Sequence, residues 1–309
     1  MNTITLTLAH SPDPDDAFMW WPLGDTGDFT GTPREASIDT GGFRFTSIPA
    51  DIHELNVRAV QKGDLDITAV SMYAYAHAAD RYMLLSCGSS IGDGYGPKFV
   101  GRPGLAERVA GHGWSDEDVV AVPGDRTSAF LALRLMLGRA FRYQVMRFDL
   151  IAQAVADGKC AAGIVIHESQ LTYESFGLAL IADLGAWWKR ETGLPMPLGA
   201  NVIRADTDAR YGPGTAQKVA GLLKQSIEYA LANRTQGLAV ARASAVADHA
   251  HATTDPEQTD RFVRMYVNDL TLDFGGPGSP GRKGVETFLS RAVAAGLLPS
   301  FGGVRVVSL

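Results

Sequence analysis

The feature that most constrains this chain is a unit written twice, AVQKGDLDITAVS at 59–71 and AVADGKCAAGIVIH at 154–167. Each copy reads as the end of an amphipathic helix, a glycine turn, a short apolar strand and a polar residue at the strand's carboxyl end. In the first, Ile52, Leu55, Ala59 and Val60 form one apolar stripe over a helix expected at 51–62, which Gly63-Asp64 stops. In the second, Ile151, Ala154 and Val155 do the same over 150–157, ahead of Gly158. Two such units require two α/β halves. Ligands of open α/β sheets gather at the carboxyl ends of strands, so Ser71 and His167 are expected to face each other across one cleft.

The rest of the pattern agrees with an α/β class. Short apolar strands are expected at 3–9, 43–48, 66–70, 83–87, 98–100, 119–122, 144–147 and 163–167, with helical segments between them. After Gly199 the chain turns mainly helical. Val219, Leu222, Leu223, Ile227 and Leu231 give a buried face over 215–233, and further helices are expected at 260–268 and 285–295. Five glycines and two prolines within 275–284 read as a loop. The stretches 26–42 and 107–118 read as surface loops. The expected division is a first lobe of 1–118 plus 202–309 and a second lobe of 119–201. The apolar faces of the helical tail fit either completion of the first lobe or contact with a second copy of the chain.

Charge narrows the function. The 309 residues carry 28 Lys and Arg against 34 Asp and Glu, a net charge of −6, so no basic field is available to attract a phosphate backbone and nucleic acid is excluded as a partner. No run of about 18 apolar residues offers a membrane span, and the first ten residues lack the basic start and apolar stretch of a secretory leader, so a cytoplasmic protein with no membrane partner is expected. Cys87 and Cys160 have no metal-ligand spacing and read as buried free thiols. Neither a dinucleotide fingerprint, a P-loop nor a Gly-x-Ser-x-Gly elbow occurs in a strand-to-helix context, which argues against nicotinamide or flavin chemistry and against a serine nucleophile.

Four segments hold the polar residues that could act on a small molecule. HSPDPDDAFMWWPL (10–23) follows the first strand. Its prolines end that strand, Asp15 and Asp16 suit a helix start, and Phe18, Trp20 and Trp21 suit the core; its carboxylates alone are a weak metal set. VPGDRTSAF (122–130) is a strand, a glycine turn and then Thr127, Ser128 and Ala129 opening an apolar helix, a geometry that serves helix capping and carboxylate or phosphate binding equally. In AAGIVIHESQLTYESFGL (161–178), His167 ends a buried strand, where an imidazole with a pKa near 6.5 can serve as a general base. DLGAWWKRETGLPMPLGAN (183–201) places Trp187 and Trp188 either on a pocket wall or in lobe packing.

Together with DITAVSMYAYAHAADRY (66–82) and MYVNDLTLDFG (265–275), the first, third and fourth of these blocks resemble, in order along the chain, the 1,4-dihydroxy-6-naphthoate synthases, lyases of the futalosine route to menaquinone. The resemblance implies a two-lobed fold like that of type II periplasmic binding proteins, with the central cleft used for catalysis. It further implies cyclic dehypoxanthinylfutalosine as the small-molecule substrate, with no organic cofactor and no metal. The proton acceptor carries over onto His167, and substrate contacts onto Ala69, Val70 and Ser71 and onto Thr127, Ser128 and Ala129; Trp187 is an expected wall. Some members of the family have Lys-Leu-Ser where this chain has Ala69-Val70-Ser71, so the substrate carboxylate must be held by something other than that lysine. The contrasting expectation, from the fold alone, is a non-catalytic binding protein for a small carboxylate.

Overall fold

The structure, a computed structural model, describes residues 3–112, 114–248 and 255–307. Twelve strands occur among them: β1 (Ile4–His10), β2 (Phe43–Pro49), β3 (Ile67–Ser71), β4 (Tyr82–Leu85), β5 (Ser90–Gly92), β6 (Lys98–Gly101), β7 (Val119–Val122), β8 (Arg142–Val145), β9 (Ala162–Val165), β10 (Ala179–Asp183), β11 (Met196–Arg204) and β12 (Val306–Val307). They form two sheets. The first runs β12-β4-β11-β3-β1-β2, with β5 also paired to β11, and the second runs β10-β6-β9-β7-β8. The chain crosses between lobes twice, from β5 to β6 and from β10 back to β11.

The repeated unit sits where its sequence requires. The helices Ile52–Gln61 and Phe148–Ala156 end near Gly63 and Gly158, whose φ angles of +64° and +78° reverse the chain at no Cβ cost before β3 and β9. In each sheet, parallel neighbours (β1 with β2 and β3, β7 with β8 and β9) bring several carboxyl ends to one side. The apolar runs of β3 and β9 are buried on both faces, as central strands require. Phe18, Trp20 and Trp21 are buried in the first lobe, and both cysteines are buried free thiols. Among the described residues no helix is long and apolar enough to cross a membrane.

Several expectations are corrected. The expected lobe boundary after 118 leaves Lys98–Gly101 in the first lobe, yet this strand pairs with β9 and β10 in the second sheet. The glycine-rich stretch at 275–284 is only partly a loop. A helix spans Pro280–Ala294, because Ser279 caps it, Pro280 needs no amide at the first position, and Gly281 and Gly284 let it approach Phe274 and Pro195 closely. The stretch 107–118 also contributes to the helix Leu105–His112, after which Trp114 packs on Phe99 with ring centroids 5.5 Å apart. β8 begins at Arg142, two residues before its expected start, because its register against β7 is set from Val119 and Arg142, while its side chains are exposed and lack an apolar signal. The helix Arg234–Asp248, absent from the sequence reading, packs Arg234 over the Phe18 ring at 5.5 Å. Segment 26–42 is exposed turns around an isolated bridge between Asp25 and Arg34, as expected of a surface loop.

Candidate active site

Four carboxyl ends converge on one cavity of about 110 Å³ between the lobes. β1 delivers Ser11 and Asp13, β3 delivers Ser71, the turn after β7 delivers Thr127 and Ser128, and β9 delivers His167. Ala69, Val70 and Ala129 also line it, so seven of the sequence-derived site residues meet there. Trp187 does not. It packs beside Trp188, 6.1 Å between ring centroids, and Trp188 is wholly buried against Phe288, so this pair serves the core rather than the cleft.

His167 is the electrostatic centre. Its Nδ1 pairs with Asp13 Oδ2 across the cleft, and its ring lies 4.2 Å from that of Phe148. Burial opposes charge on the imidazole, but the Asp13 carboxylate, with smaller contributions from Asp51 and Asp15, outweighs burial and raises the pKa to about 9. Nε2 is buried and has no hydrogen-bond partner, leaving a site for a substrate proton. His167 also holds φ +54°, a left-handed conformation that a non-glycine residue adopts at a cost of about 1 kcal/mol or more.

The neighbouring carboxyls are not all charged. Burial, reinforced by the charge of Asp13, pushes Asp15 up to about 7. Burial and the charges of Asp15 and Asp13 raise Asp16 well above the usual range, although Ser11 N–H and Trp20 Nε1 donate to it at 2.9 and 3.3 Å. The cleft therefore holds a compensated Asp13–His167 pair beside two carboxyls, Asp15 and Asp16, whose burial disfavours their charged forms. Such a site tolerates an anionic ligand even though neither Lys nor Arg lines it.

The binding groups differ in availability. Thr127 Oγ1 is committed to capping its helix: it donates to Gly124 O at 2.8 Å and accepts from Phe130 N at 3.2 Å. Ser128 Oγ donates to Leu198 O and accepts from Tyr73 N. What this helix start offers the cavity is thus backbone, the first-turn N–H groups of Ser128 and Ala129, which have no carbonyl one turn back. Ser71 is held by Asn56, whose Nδ2 donates to Ser71 Oγ at 3.0 Å and whose Oδ1 accepts from Ser71 N at 2.8 Å, leaving the Ser71 hydroxyl hydrogen for a ligand.

Sequence reasoning missed Asp13, Asn56, Asn201, Gln170 and Tyr266. Asn201, 2% exposed on β11, donates through Nδ2 to Gly88 O at 2.8 Å, while its Oδ1 is buried without a partner at the cavity wall. The signal for it was a polar side chain inside an otherwise apolar strand. Among the described residues no group of three His, Cys, Asp or Glu side chains is arranged to hold a metal ion.

Comparisons with known proteins place the chain in a family and a fold. A family model described as menaquinone biosynthesis matches residues 6–294. The chain is 35% identical over 292 residues to the 1,4-dihydroxy-6-naphthoate synthase of Thermus thermophilus, covering 94% of this chain and 95% of that one. A solved structure from Archaeoglobus fulgidus is 34% identical, covers 95% of this chain and 98% of that chain, and superposes with a TM-score of 0.76. The alkanesulfonate-binding protein SsuA of Xanthomonas axonopodis, bound to MOPS, is 14% identical over 97% of this chain and 96% of its own, with a TM-score of 0.61. That last likeness concerns the fold alone, the two-lobed architecture of type II periplasmic binding proteins.

Proposed function

The chain belongs to the menaquinone-biosynthesis family that includes the 1,4-dihydroxy-6-naphthoate synthases, and from that membership we propose that it is a carbon–carbon lyase of the cytoplasm, converting cyclic dehypoxanthinylfutalosine to 1,4-dihydroxy-6-naphthoate without organic cofactor or metal. The observation that carries this reading is the Asp13–His167 pair, which leaves Nε2 unpartnered at the cavity. In its neutral form His167 takes a proton from the bound substrate at Nε2, while Asp13 holds the Nδ1 hydrogen and stabilises the imidazolium that results. Loss of a hydroxyl proton lets that oxygen form a carbonyl on the departing fragment as the carbon–carbon bond breaks; the bonding pair passes into the bicycle, whose aromatisation supplies the driving force. The protein contributes orientation and exclusion of water.

Binding is divided by chemistry. The substrate carboxylate lies at the N–H groups of Ser128 and Ala129, substrate hydroxyls meet Ser71 and the Asn201 carbonyl oxygen, and Ala69 and Val70 cover the apolar ring. An Asn201→Ala variant is expected to lose about tenfold in kcat/KM, the worth of one buried hydrogen bond, measured by initial rates alongside a thermal melt to register the lost Gly88 contact.

The test of the function is incubation of the purified protein with cyclic dehypoxanthinylfutalosine, followed by mass spectrometry for 1,4-dihydroxy-6-naphthoate. Accumulating product supports the lyase. Saturable binding of the substrate without conversion would replace this reading with a non-catalytic binding protein for a small carboxylate.

A further inference from the structure

Besides the Asp13–His167 pair and the hydrogen bonds of Ser128 to Leu198 and Tyr73, a further polar link crosses the cleft. Gln170, in the short helix Ser169–Thr172 of the second lobe, faces Tyr266 at the end of the helix Pro256–Tyr266, which packs on the first lobe. The Gln170 side-chain Nε2 donates to Tyr266 OH at 2.8 Å, and that hydroxyl lies 3.1 Å from Gln170 Oε1. The same Nε2 also donates to the backbone carbonyl of His167 at 3.2 Å, and the Gln170 main-chain N–H donates to that carbonyl at 3.2 Å as well. Tyr266 is itself fixed, since its ring lies 5.0 Å from Phe262 and 6.0 Å from Tyr95, and Thr271 Oγ1 donates to its carbonyl at 2.6 Å.

Gln170 and Tyr266 are 5% and 4% exposed, both line the cavity, and the polar groups of their side chains are turned on each other and on the His167 backbone. The turn they grip is the one that holds His167 in its left-handed conformation. A strained residue persists only where its surroundings over-determine it. We propose that Gln170 and Tyr266 form a clamp between the lobes that holds the His167 turn and so sets the imidazole against Asp13; both are positioning residues and neither is a substrate contact. This inference rests on the reading of His167 as the base, but its physical content, the place of the ring, can be measured separately.

Three carboxyl groups of the first lobe act on the imidazole: Asp13 in the turn after β1, Asp15 in the helix Pro14–Trp20, and Asp51 at the cap of Ile52–Gln61. From the second lobe the uncharged ring of Phe148 packs on it, and the titratable Glu168 follows it in the chain. A turn released from Tyr266 would withdraw His167 from all three carboxyls at once, and burial would then lower its titration.

The experiment uses Tyr266→Phe, Gln170→Met and the double variant, with kcat, KM and an NMR titration of the His167 ring assigned through a His167→Asn sample. The expected result is a fall in kcat of about ten- to a hundredfold in either single variant, with KM little changed, as small misplacements of a reacting group produce. His167 would titrate below its wild-type midpoint near 9, and the double variant would be no worse than the single ones, as for residues acting as one unit. Unchanged kcat and unchanged His167 titration in both single variants overturn the clamp. A rise in KM with kcat and titration unchanged also overturns it, by making the pair substrate contacts. If His167→Asn itself retains turnover, the base assignment fails instead, and the NMR midpoints in Tyr266→Phe and Gln170→Met still decide the clamp.

Discussion

Replacing His167 with asparagine is expected to lower kcat by about 10³-fold, within the range that positioned general bases contribute, while the protein still folds and still binds substrate. Asparagine is the informative choice. It tolerates φ near +54° better than most residues, and its amide can still donate toward Asp13, so the buried carboxylate is not stranded. It has no group to take a proton at the position of Nε2. Alanine adds backbone strain and takes the imidazole away from the buried Asp13 carboxylate, so His167→Ala is expected to melt at lower temperature as well as to be inactive. Single-turnover kinetics with a thermal melt separate the two effects, and near wild-type turnover in a folded His167→Asn protein would remove this residue from the mechanism.

Asp13→Asn is expected to act nearly as strongly, and its pH dependence carries the mechanism. In the wild type the imidazole is protonated below about 9, so a base at this position makes kcat/KM climb with pH, about tenfold per unit, until that value is reached. Removing the Asp13 charge leaves burial to dominate, so the limb moves to lower pH. The plateau falls by about 10²-fold, because the ring loses the acceptor that fixes its tautomer and the charge that stabilises the imidazolium. Stability follows with the opposite slope. A histidine whose folded pKa lies above its unfolded value of about 6.5 stabilises the protein fully below that value, and the contribution is lost as pH rises through about 9. The melting temperature of the wild type should therefore fall between pH 6.5 and 9 relative to Asp13→Asn. A pH–rate limb that stays in place in the variant would assign it to another group, with Asp15 the first alternative.

What could be read before any coordinates was local. The helix, glycine turn and strand of each repeated unit are encoded within about a dozen residues by apolar spacing and a stop signal, and a polar residue at a strand's carboxyl end marks a ligand site by position alone. Ser71 and His167 are legible in this way, and Thr127 and Ser128 as the start of a helix after a glycine turn; all four line the cavity. Trp187 was misplaced because an adjacent tryptophan pair has the same composition on a pocket wall as in a core, and only the packing of Trp188 on Phe288 distinguishes them. The helix beginning at Pro280 was hidden by its own glycines, which serve close packing rather than a turn.

The sequence by itself determined the α/β class, the two halves, the family and the strand ends that line the cavity, because each depends on a short pattern or a block of residues in order. Only the tertiary structure decided that Asp13 partners His167, that Asn201 leaves an oxygen open and that Tyr266 reaches Gln170. These are contacts between segments far apart in the chain, on different lobes or strands. Their energies depend on distance and burial, which no local spacing of residue types encodes.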